Sequence, residues 1–337
     1  MKAPAFWWDR TPGIAAALLM PAGHVYGWLT GQRMARAGAV AGVPVVCIGN
    51  FTAGGAGKTP VALALARALN AAGETPVLLT RGYGGTLAGP VVVDPAIHDS
   101  AAVGDEPLLL ARVAPTVVAR DRVAGARLAR ERGASVIVMD DGLQNPALAK
   151  DFTLAVVDGG VGFGNGLCVP AGPLRAPVAV QASHVDAVIA IGMGKGITDA
   201  VSAAGVAGKP VFRTNLAVDD ATADQIGGTR VLAFAGIGRP EKFFETLTGL
   251  YAKIEGAHAF ADHHRYTDQE AEQLLAAAKA RGLTPVTTEK DLVRLKGSPA
   301  LDALAAATLA LPVTVTLPGA LLDQISARIS PARGGAR

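Results

Sequence analysis

The sequence predicts an α/β protein with a doubly wound, mostly parallel sheet, and two observations predict it. From Val43 onward, short and continuously apolar runs alternate with helix-length amphipathic stretches, which is typical of parallel strands that helices cover on both faces. The first run, Val43–Ile48, leads directly into a glycine-rich loop and then into an Ala- and Leu-rich helix. A strand, a glycine-rich loop and a helix N-terminus in this order form a phosphate-binding site in α/β folds.

The composition is that of a folded protein with a large core. The chain has 337 residues, of which 50% are hydrophobic and 18% are charged, and this length predicts about two domains. Two cysteines cannot form a disulfide scaffold, so we expect a reducing compartment. The net charge of +3 lies in residues 1–50, which carry four Lys or Arg and one Asp. The rest of the chain is neutral overall, so no basic field indicates a nucleic-acid partner.

The first 210 residues carry the elements of a first domain. Apolar runs predict six strands, at Pro44–Ile48, Pro76–Thr80, Thr116–Ala119, Ser135–Met139, Thr153–Val157 and Ala187–Ile191. Helical stretches are predicted between them, at Pro60–Ala72, Pro107–Val113 and Arg122–Arg132. This alternation of strands and helices is that of a doubly wound domain.

An extended segment separates this domain from a second, smaller one. We place the linker at residues 211–218 and the second domain at residues 219–337. Its strands are predicted at Arg230–Ala235, Lys253–Phe260, Pro285–Thr288 and Pro312–Leu317. One helix is expected from Pro240 and another from Thr267, which has capping-box spacing to Glu270.

The N-terminal segment combines aromatic and basic residues. All three tryptophans, Trp7, Trp8 and Trp28, lie within the first 28 residues. The apolar stretch that starts at Ile14 is interrupted at Gly23, so it is shorter than the roughly 20 residues that span a bilayer. Trp, Lys and Arg favour a membrane interface, but a helix packed on the domain through aromatic anchors fits the pattern equally well.

The strongest chemical signal is GNFTAGGAGKTP, residues 49–60. In such a loop, backbone N–H groups contact phosphate oxygens, the lysine reaches the β- and γ-phosphates, and the hydroxyl of the next residue ligates Mg²⁺. The strict pattern has Gly where this chain has Thr52, and a plain glycine-rich turn is the alternative. The predicted nucleotide-binding residues are Thr52, Ala53, Gly54, Gly55, Ala56, Gly57, Lys58 and Thr59.

A pair of carboxylates follows another buried strand. The apolar run at Ser135–Met139 ends in Asp140 and Asp141. A carboxylate at the carboxyl end of such a strand lies beside the phosphate loop and can hold Mg²⁺ directly or through water. A simple Asp-Asp-Gly turn is the alternative, and the phosphate loop at this spacing favours the metal role.

Other polar loops are predicted at the same edge of the sheets, where ligands of open α/β folds bind. Asp105 and Glu106 precede Pro107, so they are candidates for catalysis or for a helix N-terminus. Arg175 is a candidate phosphate clamp or a structural residue. The segment Asp262–His264 fits an acid–base pair, a metal site or an ordinary polar loop. Zinc is disfavoured there, because neither cysteine has ligand spacing to the segment.

Taken in order, these motifs resemble the tetraacyldisaccharide 4′-kinase family of lipid A biosynthesis. The resemblance covers about residues 6–295. One of these motifs alone would be weak evidence, but the whole series in this order is specific for the family. The matching segments are the N-terminal WW and VYG, GNFTAGGAGKTP, RGYGG, GDEP, DDGLQ, GFGNG, PAGPLR, AFAGIGRPEKFF, ADHH and VTTEKD. The Thr52 departure from the strict phosphate loop is shared with this family's pattern. Two other positions depart from it, because Asn145 stands where His is usual and Ala176 where Glu is usual.

The resemblance implies a fold, a reaction and roles for the site residues. It implies two Rossmann-like α/β/α domains joined by a short β linker, and a kinase that uses ATP and Mg²⁺. The product would be lipid IVA, phosphorylated at the 4′-hydroxyl of a tetraacyldisaccharide 1-phosphate. Implied catalytic residues are Asp105, His263 and Lys58; metal-site residues are Thr59, Asp140, Asp141, Glu106 and Gln144; substrate residues are Arg81, Tyr83 and Arg175.

The resemblance also implies where the protein acts. We expect a monomer that binds the cytoplasmic face of the bacterial inner membrane peripherally, through its N-terminal segment, to reach its lipid disaccharide. Two rival functions fit the phosphate loop alone. A P-loop ATPase or GTPase switch would hydrolyse nucleotide without an acceptor, and a nucleotide-binding scaffold would bind without turnover.

Overall fold

In a computed structural model, which describes residues 3–330, the chain forms two main sheets of mostly parallel strands, each covered by helices on both faces, and a two-stranded antiparallel pair. The larger sheet has eight strands in the order β3-β4-β2-β5-β1-β6-β7-β8, and only β3 is antiparallel to its neighbour. Its strands are β1 (Val45–Asn50), β2 (Pro76–Thr80), β3 (Val91–Val92), β4 (Thr116–Val118), β5 (Val136–Asp140), β6 (Phe152–Asp158), β7 (Ala187–Ile191) and β8 (Val211–Thr214). The predicted α/β fold class is confirmed.

Among the described residues, seven helices accompany this sheet, and a 3₁₀ turn at Ala5–Trp7 precedes the first of them. The helices are α1 (Ile14–Met34), α2 (Lys58–Ala71), α3 (Ser100–Val103), α4 (Asp105–Leu110), α5 (Arg122–Glu131), α6 (Val178–Ala182) and α7 (Gly196–Ala207). Helix α2 packs on one face of the sheet, and α5, α6 and α7 pack on the other. Fully buried apolar side chains on both faces explain why the strands read as continuous apolar runs.

The second sheet has four parallel strands in the order β11-β10-β12-β13. The remaining strands of the chain are β9 (Leu216–Ala217), β10 (Arg230–Ala235), β11 (Lys253–Ala259), β12 (Thr284–Thr288), β13 (Leu309–Leu311) and β14 (Thr314–Val315). The remaining helices are α8 (Asp220–Ile226), α9 (Pro240–Gly249), α10 (Asp268–Arg281), α11 (Glu289–Leu292), α12 (Pro299–Ala307) and α13 (Gly319–Ile329). The capping box predicted at Thr267 and Glu270 opens α10.

The end of the chain differs from the expected strand at Pro312–Leu317. The fourth parallel strand of the second sheet is Leu309–Leu311. Within the expected range only Thr314–Val315 forms a strand, and it pairs antiparallel with β9. Helix α13 then packs in the same core as α2, beneath the larger sheet. The predicted division into residues 1–210, 211–218 and 219–337 stays a prediction, and residues 1, 2 and 331–337 lie outside the described range.

Helix α1 packs on the rest of the protein through small residues and Met34, and it leaves most of its large apolar residues exposed. A Cβ added at Gly23 would lie 2.7 Å from the Cys168 carbonyl oxygen, and one at Gly27 would lie 2.8 Å from the Cys168 Sγ, so the helix sits close against this loop. Leu18 is 77% exposed and Trp28 is 62% exposed. Among residues 3–330, no helix is long and apolar enough to cross a membrane.

The tryptophans near the N-terminus differ in their surroundings. Trp7 is buried, and its indole Nε1–H donates to the Pro170 carbonyl oxygen at 2.9 Å. Trp28 lies on the exposed face of α1. Trp7 therefore anchors the segment to the protein, as one of the two alternatives expects, while contact of Trp28 with a membrane interface stays a prediction.

Candidate active site

The phosphate loop is fixed by the last residue of its own strand. Asn50 is fully buried at the end of β1, and its Nδ2 donates to the carbonyl oxygens of Thr52 at 2.7 Å and Gly54 at 3.2 Å. The loop then reaches Gly57, whose φ of +89° is a left-handed conformation that favours glycine. Helix α2 begins at the next residue. The predicted strand, loop and helix N-terminus are therefore in place.

The first turn of α2 faces carboxylates from neighbouring elements. The Lys58 Nζ lies 3.2 Å from the Asn50 Oδ1 and 3.6 Å from the Asp141 Oδ1. The Thr59 hydroxyl donates to the Glu106 Oε1 at 3.4 Å. The lysine and the hydroxyl expected to hold phosphate and Mg²⁺ thus lie at one site.

The adjacent aspartates after β5 have opposite environments. Asp140 is 1% exposed, and neither of its carboxylate oxygens has a hydrogen-bond partner. Burial, and next the negative charge of Glu106, raise the pKa of Asp140 to about 7. Burial acts in the same direction on Asp141, but Lys58 and Arg175 outweigh it and hold the pKa of that carboxyl below its usual range.

Arg175 links Asp141 to the phosphate loop. Its Nη1 and Nη2 donate to the two Asp141 carboxylate oxygens at 2.8 and 3.2 Å, and its Nε donates to the Thr52 carbonyl oxygen at 3.1 Å. Gln144 accepts from Arg175 at 3.2 Å and donates to the Asn50 carbonyl oxygen at 2.8 Å. Arg175 and Gln144 thus brace the loop, while their predicted substrate and metal roles stay predictions.

A histidine from a loop of the second sheet contacts α4, a helix of the first. His263 lies in the loop after β11, with a φ of +55°, and its Nδ1 lies 3.1 Å from the Asp105 Oδ2 on α4. The hydrogen bond to Asp105 raises the pKa of His263. Burial disfavours the Asp105 carboxylate, but His263 and then Arg294 outweigh burial and hold the pKa of Asp105 well below its usual range. Asp105 is therefore a carboxylate that orients His263.

A lysine from the second sheet meets the neighbouring carboxylate. Lys290 is at the start of α11, and its Nζ donates to the Glu106 Oε1 at 2.5 Å. Burial opposes ionisation of this pair, but the attraction to Lys290 lowers the pKa of Glu106, and the attraction to Glu106 raises that of Lys290. The two adjacent acidic residues of α4 thus both bind residues from the second sheet.

Comparison with known proteins identifies the family. The family model for tetraacyldisaccharide-1-P 4′-kinase matches residues 15–330. The chain belongs to the tetraacyldisaccharide 4′-kinase family. It is 56% identical over 304 residues to the tetraacyldisaccharide 4′-kinase of Methylobacterium sp. strain 4-46, covering 90% of this chain and 92% of that protein. It is 50% identical over 335 residues to that of Rhodopseudomonas palustris strain BisB18, covering 99% and 97%.

A solved structure of the family has the same fold. The crystal structure of the "apo" form of LpxK from Aquifex aeolicus, in complex with ATP, superposes with a TM-score of 0.72 at 23% identity. The match covers 95% of this chain and 99% of that chain. The likeness supports the fold described above over nearly the whole chain.

In this family member, the Asp140 surroundings fit a divalent cation. A buried carboxylate with two unpartnered oxygens is costly unless a cation or a proton accompanies it. The Glu106 carboxylate is close enough for its charge to act on Asp140, and the Thr59 hydroxyl lies 3.4 Å from the Glu106 Oε1. These oxygens suit Mg²⁺, which is usually held by one or two carboxylates together with substrate phosphates.

The predicted substrate residues Arg81 and Tyr83 are both exposed. The Tyr83 ring centroid lies 5.0 Å from that of His263, so Tyr83 lies beside the His–Asp pair. Their role in acceptor binding stays a prediction.

Three residues of the site were not assigned from the sequence. Asn50 supports the phosphate loop, Lys290 binds Glu106, and Arg294 donates its Nε to the Asp105 Oδ2 at 2.9 Å. The segment VTTEKD was noted for the resemblance, and its position after a strand is the signal that could have found Lys290. Nothing in the local sequence links Arg294 to a carboxylate 189 positions earlier.

Proposed function

We propose that this chain is a tetraacyldisaccharide 4′-kinase, which transfers the γ-phosphoryl group of ATP to the 4′-hydroxyl of tetraacyldisaccharide 1-phosphate and forms lipid IVA. One observation carries the proposal. A phosphate loop with an open carboxylate, Asp140, faces a His–Asp pair, His263 and Asp105, that can activate a hydroxyl. Family membership supplies the identity of the acceptor.

The phosphate side of the site holds and neutralises the nucleotide. The loop N–H groups and Lys58 would bind the ATP phosphates, and Asp140 and the Thr59 hydroxyl would hold Mg²⁺, while Glu106, which Lys290 binds, would support the metal site. When bound, Mg²⁺ offsets the charge that develops on the phosphates during transfer. Asp141 is occupied by Lys58 and Arg175, so its contribution is to fix the loop rather than to offer a free carboxylate.

The acceptor side of the site removes the hydroxyl proton. With Nδ1 bound to Asp105, the His263 ring can accept a proton at Nε2 from the acceptor hydroxyl. The new bond joins that oxygen to the γ-phosphorus, the bond from the γ-phosphorus to the bridging oxygen breaks, and ADP leaves. The proton passes from His263 to solvent, and Asp105 remains a carboxylate throughout.

The exposed face of α1 is the proposed membrane contact. Its large apolar residues point away from the domain, and Arg33 and Arg36 are exposed at its C-terminal end. Apolar and aromatic side chains flanked by basic ones suit insertion at an anionic lipid interface. We place the protein peripherally at the cytoplasmic face of the inner membrane. We propose that it acts as a monomer, and the supply of both halves of the site by one chain supports this proposal.

The test is phosphorylation of the lipid itself. Purified protein is incubated in detergent micelles with Mg-ATP and the tetraacyldisaccharide 1-phosphate, and the lipid is analysed by mass spectrometry while ADP is measured. We expect a product heavier by one phosphate and ADP formation that depends on the acceptor. ADP formation that is equal without the acceptor would indicate a hydrolase, and nucleotide binding without ADP or product would indicate a scaffold.

A further inference from the structure

Arg294 is a buried guanidinium at the junction of the two sheets. Its side chain is 5% exposed and lies after α11. Its Nε donates to the Asp105 Oδ2 at 2.9 Å, its Nη2 also donates to that oxygen, and its Nη1 donates to the Gly236 carbonyl oxygen at 2.7 Å. The Asp105 Oδ2 is the same oxygen that lies 3.1 Å from the His263 Nδ1. Arg294 and His263 thus share one acceptor.

They share a second acceptor as well. The His263 backbone N–H donates to the Gly236 carbonyl oxygen at 3.0 Å, which also accepts from Arg294. The four groups therefore form a closed ring, from Asp105 to Arg294, to Gly236, to His263 and back to Asp105. Both the backbone and the ring of His263 are tied to acceptors whose positions Arg294 helps to fix.

Arg294 is itself held rigidly. Its Nη1 lies 2.9 Å from the Asp291 Oδ1, and that oxygen also accepts from the Gly236 N–H and the Tyr266 hydroxyl, each at 2.9 Å. The guanidinium is planar and presents its donors in a fixed fork. A lysine ammonium could neutralise one carboxylate but could not reach Asp105, Asp291 and Gly236 with this geometry.

We propose that Arg294 is a positioning residue that fixes Asp105 and His263 relative to each other and so sets the geometry of the acceptor base. The proposal rests on the proposed function, because it gives the His–Asp pair its catalytic role. Arg294 does not touch the acceptor in this account and acts only through the pair. A buried arginine that merely joined the two sheets would add stability without controlling His263.

The first measurement is a comparison of kcat and ATP affinity. Arg294→Met removes the fork at similar length, Arg294→Lys keeps the charge, and Arg281→Met is the control because Arg281 contacts Glu255 on the surface of the second sheet. We expect kcat to fall on the order of 10²-fold in Arg294→Met, since misplacement of about 1 Å can cost that much. Arg294→Lys should recover only part of the loss, and the dissociation constant for ATP should stay unchanged in all three variants.

A double-mutant cycle separates positioning from general support. If Arg294 acts through Asp105, then Asp105→Asn combined with Arg294→Met should be no slower than Asp105→Asn alone, because residues that act as a unit are not additive. A double variant whose loss equals the product of the two single losses would overturn the proposal. If Arg294→Met does not fold, the same cycle is measured with Arg294→Lys, which retains the charge.

The third measurement does not depend on kinase activity. The rate of carbethoxylation of His263 by diethylpyrocarbonate is followed by peptide mass spectrometry, with the exposed His258 as internal reference. Loss of the fork should release the ring, so His263 should react faster in Arg294→Met and Arg294→Lys but not in Arg281→Met. If the wild type shows no lipid kinase activity, the proposed function fails, while this rate still decides whether Arg294 positions His263. An unchanged rate in folded Arg294 variants would overturn the proposal.

Discussion

At the scale of single residues, the site separates adjacent groups into different tasks. Asp140 and Asp141 are neighbours in sequence, yet Asp140 is buried without a partner and Asp141 is bound by Arg175 and Lys58. Asp105 and Glu106 are also neighbours, and one binds His263 and Arg294 while the other binds Lys290 and Thr59. Surroundings, not residue type, therefore decide which carboxylate is left for a metal.

Replacing Asp140 should stabilise the ligand-free protein and weaken its response to Mg-ATP. Burial raises the pKa of Asp140 to about 7 in the folded protein, whereas an unfolded aspartate has a pKa of about 4. The unfolded chain therefore releases this proton first, and the folded state loses stability as the pH rises from about 4 to about 7. Asparagine cannot ionise, so Asp140→Asn should unfold at a higher temperature than the wild type at pH 8.

The matched control is Asp141→Asn, for which the expected change in unfolding temperature has the opposite sign. Because the folded-state pKa of Asp141 is lowered, its carboxylate stabilises the folded protein above the unfolded pKa, so this variant should unfold at a lower temperature at pH 8. Thermal unfolding is recorded with and without Mg-ATP, which should stabilise the wild type more than Asp140→Asn, because the variant lacks the carboxylate that would hold Mg²⁺. A ligand-free Asp140→Asn that unfolds below the wild type would contradict the assignment.

At the scale of secondary-structure elements, α1 uses two faces for two purposes. Gly23 and Gly27 allow it to approach the loop at Cys168 closely, and that loop continues to Arg175, which braces the phosphate loop. The large apolar residues lie on the opposite side. One face of α1 is therefore packed tightly against the protein, while the other face leaves several large apolar side chains exposed.

Charges placed on the outer face of α1 should weaken membrane binding without affecting nucleotide binding. Leu18 and Trp28 are 77% and 62% exposed, so Leu18→Glu and Trp28→Glu should fold normally and reduce binding to liposomes that contain anionic lipid. Co-sedimentation with liposomes is measured beside ATP affinity. Ile97→Glu is the control, since Ile97 is 76% exposed and lies outside α1; an equal loss in this control would argue against α1 as the contact.

At the scale of the whole molecule, several bonds join the two sheets around one site. Besides the contacts of α4, buried Asp158 at the end of β6 accepts from Arg239 at 2.9 Å and from Lys242 at 3.2 Å, both on or beside α9. A Cβ at Gly238 would lie 3.9 Å from the Gly55 N, so the loop before α9 faces the phosphate loop. The nucleotide and acceptor sides of the site are thus brought together by carboxyl-end loops of two different sheets.

Local patterns in the sequence predict the central strands and the phosphate loop, but they do not predict the edge strands β3, β8 and β13 or the contacts across the fold. Continuous apolar runs predicted the central strands because those strands are buried on both faces. The packing of α13 against the larger sheet could not be predicted, because nothing in the sequence of Gly319–Ile329 indicates which of the two sheets this helix contacts. The role of Arg294 could not be predicted for the same reason, because its partner Asp105 lies 189 positions earlier in the chain.

The pairing of Asp105 with His263 was reached only through the resemblance to a family. Each residue alone has an ordinary explanation, as a helix N-terminal acid and as part of a polar loop. The structure shows that Asp105 lies in the first turn of α4 and also contacts His263 across the junction. A long-range hydrogen bond of this kind leaves no periodic signal in either segment.

The most direct test of the central claim is the turnover of His263→Ala and Asp105→Ala at saturating Mg-ATP and lipid acceptor. If the acceptor hydroxyl is deprotonated by His263 held by Asp105, each variant should lose on the order of 10²-fold or more in kcat. Because neither residue belongs to the phosphate loop, ATP affinity measured on the same samples should be unchanged. Near-normal turnover by either folded variant would contradict the claim that this pair activates the acceptor.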